Sequence, residues 1–372
     1  MNIEIRNLSI EEKIGQMLII GIDTPDAISK IDDIILKYKI GGVLLYRKNY
    51  KSYKELVDLI NHIKEVNKAN KIPLFIAIDQ EGGRVNRMPQ DFMNLPSAYK
   101  LAQYKEENLV KRAGEITGKM LRNTGFNLNF APILDIKRFD NNHAIGDRAF
   151  SENVNEVSEL GTEYMKQLQS QNVISVIKHY PGHGATKKDS HFTIPVIKEK
   201  MNNLEKEDMI PFKEAIENGA DAILVSHLKI DKVTNKYPAS MSRRFITKYI
   251  RKKFRYKGLI ITDDVRMKAV QLAYGKNKAV KKAFEAGNDI ILFKYNNDIK
   301  VIEEIIKNVK TSIFKESRVN KSVNRILKIK EKYNINNEEI EYNEIFLNKT
   351  NKEILEIRNK IEGKDWLWKK IK

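Results

Sequence analysis

Carboxylates, imidazoles and cations recur in this 372-residue sequence at the points where apolar runs end. Ile78 is followed by Asp79-Gln80-Glu81-Gly82-Gly83-Arg84, and Asp135 closes a run that leads to Gly146-Asp147-Arg148. Other runs end in Lys178-His179, Ser226-His227 and Thr262-Asp263-Asp264. Of the 6 histidines, His143, His179, His183, His191 and His227 fall at these ends or just after them, and His62 sits in a helical pattern. Three chemistries compete for such a set. Converging His and Asp side chains could hold a hydrolytic metal. Against that, the first apolar run, Gln16 to Ile22, offers no ligand, and Lys178 beside His179 repels a cation, so no metal is expected. A glycosidase needs one carboxylate to attack an anomeric carbon and a second group to protonate the leaving oxygen. Asp263 suits the first task because a buried strand fixes its direction, with Arg87, Arg148 and Lys178 as cations to keep it ionised. Glu81 or a histidine suits the second, and Asp189 stands two residues before His191, close enough to tune its imidazole. The third reading is structural: buried polar groups at strand ends satisfy one another. Glu81 is read that way, as a partner of Arg84 or Arg148, and Asp135 and His183 stay open between the two roles.

Groups placed like this need a scaffold of repeated strands. The apolar runs are Gln16 to Ile22, Gly41 to Tyr46, Pro73 to Asp79, Phe126 to Pro132, Ser175 to Tyr180, Ala222 to His227, Gly258 to Asp264 and Asp289 to Phe293. Most are continuously hydrophobic, as strands buried on both faces of a parallel sheet must be. Amphipathic helical patterns alternate with them, among them Tyr53 to Lys71, Glu107 to Thr124, Glu156 to Gln171, Asn203 to Asn218 and Ser242 to Phe254. Gly125, Gly219 and Gly287 each end a helix before a strand. The series predicts an α/β fold, a single (β/α)8 TIM barrel over residues 1–334, with a doubly wound sheet as the alternative. A short C-terminal helical tail, 335–372, is expected to pack on the barrel, with Trp366 and Trp368 as its clamp.

Composition narrows the rest. With 41% hydrophobic residues a real core is available, and the absence of cysteine removes disulfides, thiolate nucleophiles and iron–sulfur ligation. The net charge of +18 invites a polyanion, yet the lysines are scattered over nearly every helix, so no specific nucleic-acid partner is expected. The N-terminus has no basic then apolar leader pattern, and no apolar run reaches spanning length, which predicts a cytoplasmic protein without membrane insertion.

The runs IDQEGGRVNRMP (Ile78 to Pro89), FAPILDI (Phe130 to Ile136), GDRAF (Gly146 to Phe150), KHYPGHG (Lys178 to Gly184), DSH (Asp189 to His191) and ITDD (Ile261 to Asp264) resemble those of glycoside hydrolase family 3. The resemblance covers about Ile10 to Phe293 and is closest to the bacterial β-N-acetylglucosaminidase (β-N-acetylhexosaminidase) branch, which acts in peptidoglycan recycling. KHYPGHG followed by DSH separates that branch from the β-glucosidases of the family, which take their acid/base from a second domain. The resemblance implies that Asp263 is the nucleophile of a retaining exo-enzyme and that His191, supported by Asp189, is the acid/base. It implies that Asp79, Arg87, Arg148, Lys178 and His179 bind the terminal N-acetylglucosamine, and that neither metal nor cofactor takes part. The implied substrate is an N-acetylglucosamine-containing muropeptide or disaccharide. A histidine suits the acid/base role because its basic form is neutral and adds no second negative charge beside the nucleophile. Pro181-Gly182-His183-Gly184 suggests a loop that moves His191 over the sugar. The chain departs from the branch at Arg266, where a small polar residue is more usual and where the cation is expected to alter the leaving-group side. A phosphorylase using the same site, or an inactive sugar-binding barrel, are the alternatives; the sequence does not give the oligomeric state.

Overall fold

The eight apolar runs become eight parallel strands: β1 (Leu18–Ile22), β2 (Gly42–Leu45), β3 (Phe75–Ile78), β4 (Leu128–Asn129), β5 (Ile174–Tyr180), β6 (Ala222–Val225), β7 (Leu259–Thr262) and β8 (Ile291–Lys294). The computed structural model describes residues 3–24, 28–104, 108–139, 142–186, 193–295 and 300–363. Each strand pairs with the next in sequence, β8 pairs with β1, and a parallel bridge from Ile261 to Ile290 joins β7 to the start of β8. The sheet therefore curls into a (β/α)8 barrel. Its strand residues are buried almost without exception, which is why the runs lack a period-2 polar face. Amphipathic helices cover the outside, including Tyr53–Asn67, Leu109–Asn123, Val154–Ser170 and Lys276–Ala286.

One expectation needed correction. The pattern from Asn203 to Asn218 is not one helix but two, Met201–Lys206 and Ile210–Glu217. Pro211 lacks an amide proton and fits only a first turn, so a new helix starts there. The sequence also gave no sign of a second, two-stranded sheet, in which Val196–Ile197 pairs in parallel with Lys229–Ile230. It ties the segment after β5 to the segment after β6.

The floor of the barrel is held by one lysine. Lys330, fully buried on the helix Glu316–Lys332, donates from Nζ to Gln16 Oε1 at 2.7 Å and to the carbonyls of Gly41 at 2.9 Å and Pro73 at 2.6 Å. Those oxygens precede β1, β2 and β3. From there the chain climbs the helix Tyr53–Asn67. Asn67 Nδ2 donates to Asn337 Oδ1 at 3.2 Å, Asn61 exchanges two bonds with the backbone of Ile340, and the rings of Tyr53 and Tyr342 lie 4.8 Å apart. The last helix, Glu344–Glu362, thus begins near the C-terminal mouth of the barrel. We propose the boundary between barrel (1–334) and tail (335–372) at this turn away from the floor; Trp366 and Trp368 lie outside the described residues. Among the described residues no helix is long and apolar enough to cross a membrane.

Candidate active site

A (β/α)8 barrel exposes its reactive groups at the carboxyl ends of its strands. After β3 the chain reads Asp79-Gln80-Glu81 and then turns at Gly82 and Gly83, both in the left-handed region with φ of 87° and 53°. A Cβ on Gly83 would lie 2.7 Å from that of Ser97, so only glycine lets the following loop fold back. Gln80 Oε1 accepts the amide of Arg87 at 2.8 Å, and Tyr50 donates its hydroxyl to the Arg87 carbonyl at 2.9 Å.

Glu81 sits at the centre of a charge cluster. Arg148 grips it with two bonds, Nε at 2.8 Å and a terminal nitrogen at 2.7 Å, and Lys178 Nζ lies 2.6 Å away. Burial pushes the Glu81 carboxyl up, but Arg148 and Lys178 outweigh it and hold the group far below the usual carboxylate range. Lys178 also donates to Asp79 Oδ1 at 2.8 Å, and Asp79 stays partly open. Burial lowers the Lys178 ammonium's pKa; Asp79 and Glu81 more than reverse this, so it stays charged.

Asp135, fully buried after β4, organises the imidazoles. It accepts the His179 ring Nδ1 at 2.6 Å, the His179 amide at 3.2 Å and the His183 amide at 2.6 Å. A carboxylate at Nδ1 calls for the proton there, which leaves His179 Nε2 to face other partners. The described part of the glycine-rich segment, up to Thr186, packs against the loop after β4. Asn142 Nδ2 donates to the carbonyls of His183 and Thr186, and Gly184 packs so close to Ile136 that a Cβ would meet its carbonyl at 2.1 Å.

The two aspartates after β7 have separate environments. The Asp263 amide donates to the Val225 carbonyl at 2.9 Å, and its Oδ1 accepts the Asp264 amide at 2.8 Å. Asp264 turns into the protein, where Oδ1 accepts the amides of Arg266 at 2.9 Å and Lys294 at 3.3 Å. Burial raises the Asp264 pKa to about 6 against those donors, with the Asp263 charge adding to the rise.

Asp79, Arg87, Arg148, Lys178, His179 and Asp263 all line one cleft of about 340 Å³ at the barrel mouth, floored by Phe130, Leu224 and Leu292. Asp189 and His191 lie outside the described residues. Two expectations change. His227 is wholly buried, bonded through Nδ1 to Ser240 Oγ at 2.6 Å and through Nε2 to the Asp264 carbonyl at 2.9 Å, so it supports the β7 end from beneath. Arg266 is buried too, over the Phe293 ring and 3.2 Å from the Lys294 carbonyl, and is not among the cleft-lining side chains. Of the two arginines expected as partners of Glu81, Arg148 holds it, while Arg84 binds Asp147 and the carbonyls of His143 and Ile145. Tyr46 and Lys294 line the cleft as well and were missed. They close the runs of β2 and β8 just as the other polar residues close theirs, so the signal was present. Among the described residues no group of three or more His, Asp or Glu side chains is arranged to hold a metal ion. The chemistry on offer is one open carboxylate facing cations, a second carboxylate and an oriented imidazole.

The pattern of the glycosyl hydrolase family 3 N terminal domain matches residues 9–329. A β-hexosaminidase A of Pseudoalteromonas piscicida is 30% identical over 329 residues, covering 82% of this chain and 55% of the relative. The chain thus spans about half the length of that relative. A β-hexosaminidase of Methylobacillus flagellatus is 32% identical over 284 residues, covering 75% of this chain and 79% of its own. Among solved structures, a family 3 β-N-acetylglucosaminidase from a Paenibacillus species superposes with a TM-score of 0.87 at 28% identity, over 95% of this chain and 69% of that one. A β-glucoside phosphorylase superposes at 0.84 with 22% identity, over 95% and 65%, a likeness of fold alone.

Proposed function

Because this chain belongs to glycosyl hydrolase family 3, we propose that it is an exo-acting, retaining β-N-acetylglucosaminidase of peptidoglycan recycling, with Asp263 as nucleophile and an Asp189–His191 acid/base pair. The observation that supports this most is the single cleft shared by Asp263 and the cations and carboxylate that would grip a sugar. Asp263 attacks the anomeric carbon and forms a glycosyl ester while His191 gives its proton to the leaving oxygen. In the second half His191 takes a proton from water, the water oxygen bonds to the anomeric carbon, and Asp263 leaves. Asp79, Arg87, Arg148, Lys178 and His179 bind the hydroxyls of the terminal sugar. Glu81 neutralises part of the charge of Arg148 and Lys178, so both cations can sit buried in the wall of the cleft. No step calls for a metal or a cofactor. The names of the relatives support N-acetylhexosamine as the sugar. The resemblance to the recycling branch supports a cell-wall disaccharide or muropeptide, taken in the cytoplasm.

The test is NMR of the products from a chromogenic β-N-acetylglucosaminide. First appearance of β-N-acetylglucosamine is expected, and Asp263→Ala should lower kcat by roughly 10³-fold or more. An α-product, a sugar phosphate formed when phosphate is added, or full activity in Asp263→Ala would overturn the reading. His191→Ala should slow sugars with poor leaving groups far more than activated aryl glycosides, since only the former need the acid.

A further inference from the structure

The C-terminal helix Glu344–Glu362 takes no part in the chemistry above, yet it binds the backbone of the loop that carries Arg87. Asn351 Nδ2 donates to the Asp91 carbonyl at 2.7 Å, and its Oδ1 accepts the Met93 amide at 2.7 Å. One amide side chain thereby satisfies both backbone partners of a three-residue stretch, as a neighbouring strand would. One helical turn pair further on, buried Arg358 donates from Nε to the Asn94 carbonyl at 2.6 Å, and Glu362 holds its guanidinium. Asn94 passes the constraint inward, donating from Nδ2 to the Gly83 carbonyl at 2.6 Å, in the turn next to Glu81. From the barrel side, Asp91 Oδ2 accepts the Tyr53 amide at 2.8 Å and Phe92 packs edge-on to Tyr53 at 5.0 Å. The loop is clamped between a barrel helix and the C-terminal helix.

The clamp matters because of what Arg87 lacks. Among the described residues its guanidinium has no hydrogen bond or ion pair, so the fold positions it through the backbone from which its side chain starts. That backbone is fixed at Arg87 by Gln80 and Tyr50, and beyond it by the 91–94 stretch. Loops crossing a surface sample many conformations unless tied, and a displacement of about 1 Å is enough to cost a binding group its ligand.

We propose that Asn351 and Arg358 are positioning residues for the sugar cleft: by holding backbone 91–94 they keep Arg87 aimed into it. The C-terminal helix is then part of the site's scaffold. This rests on the reading of Arg87 as a sugar-binding residue, and the experiment separates the two.

In the full-length chain, KM and kcat for an aryl N-acetylglucosaminide are measured for the wild type, Arg87→Ala, Asn351→Ala and the double variant. Arg87→Ala should raise KM about 10-fold or more, and Asn351→Ala about 3–10-fold with a smaller change in kcat. In the Arg87→Ala background the Asn351 substitution should leave KM within about 1.5-fold, because both act through one group. KM does not depend on the fraction of folded enzyme, so a helix that only stabilised the fold would change thermal stability and apparent kcat and leave KM alone. An unaltered KM in Asn351→Ala, or an equal rise with and without Arg87, would overturn the proposal. An unaltered KM in Arg87→Ala would overturn the sugar-binding reading beneath it. Should Asn351→Ala not fold, Arg358→Lys, which keeps the charge but loses Nε, carries the same measurement and the same expectations.

Discussion

At Glu81 a carboxylate with no catalytic step to perform is buried between two cations, and removing its charge would leave Arg148 and Lys178 mutually repelling in a dry environment. Glu81→Gln should therefore cost about 3–5 kcal/mol in urea unfolding, the usual penalty for breaking a buried pair from one side. The pH dependence has a definite sign. The carboxyl is held below its ordinary 4.5, so its contribution is complete above that pH and drains as pH falls below it. The variant should lose stability less steeply than the wild type below pH 4.5, which unfolding curves in acid will check. The Glu81–Arg148 pair was legible in the sequence because both residues close apolar runs of a barrel. Lys178 joining them was not paired in advance, since it depends on how β3 and β5 approach across the mouth. His227 misled for a related reason. A strand-end position is visible in sequence, but depth is set by Ser240 and Asp264, which arrive from other elements.

Strands and most helices were legible as elements, because burial on both faces leaves an unbroken apolar run and helices leave a 3.6-residue pattern. What escaped were elements too short to have a period, such as Val196–Ile197, and the break before Pro211, where both halves keep the same apolar face. The floor helix carries the least legible device. Lys330 reads as one more lysine of a basic amphipathic pattern, yet its nitrogen is capped by three neutral oxygens, and among the described residues no carboxylate pairs with it. Burial pulls its pKa well below 10.5, so in the range beneath that value the unfolded chain binds the extra proton. Stability should then rise with pH as 10.5 is approached from below, and Lys330→Met should flatten that rise. Urea midpoints of the two proteins between neutral pH and about pH 10 provide the comparison. A wild-type curve as flat as the variant's would mean that the three oxygens hold the ammonium form as firmly as water does.

Over the whole molecule the charge that matters is the excess of 18 positive charges, spread over helices rather than gathered into a nucleic-acid stripe. At the mouth, Arg148, Lys178 and Arg84 are engaged by Glu81, Asp79 and Asp147, while Arg87 and Lys294 line the cleft with looser partners or none among the described residues. A diffuse positive surface around a cleft with residual cations attracts an anion before contact, and it has little effect on a neutral ligand. If the substrate is a cell-wall fragment with lactyl or peptide carboxylates, kcat/KM for that fragment should fall about 3–10-fold as salt rises from about 10 mM to 200 mM. Over that range the Debye length shrinks from roughly 30 Å to below 10 Å. A neutral aryl N-acetylglucosaminide should show less than about a two-fold change, because it gains nothing from the long-range field. Parallel salt curves for the two substrates would place recognition wholly in contacts made inside the cleft, and the basic surface would then have no part in delivering substrate.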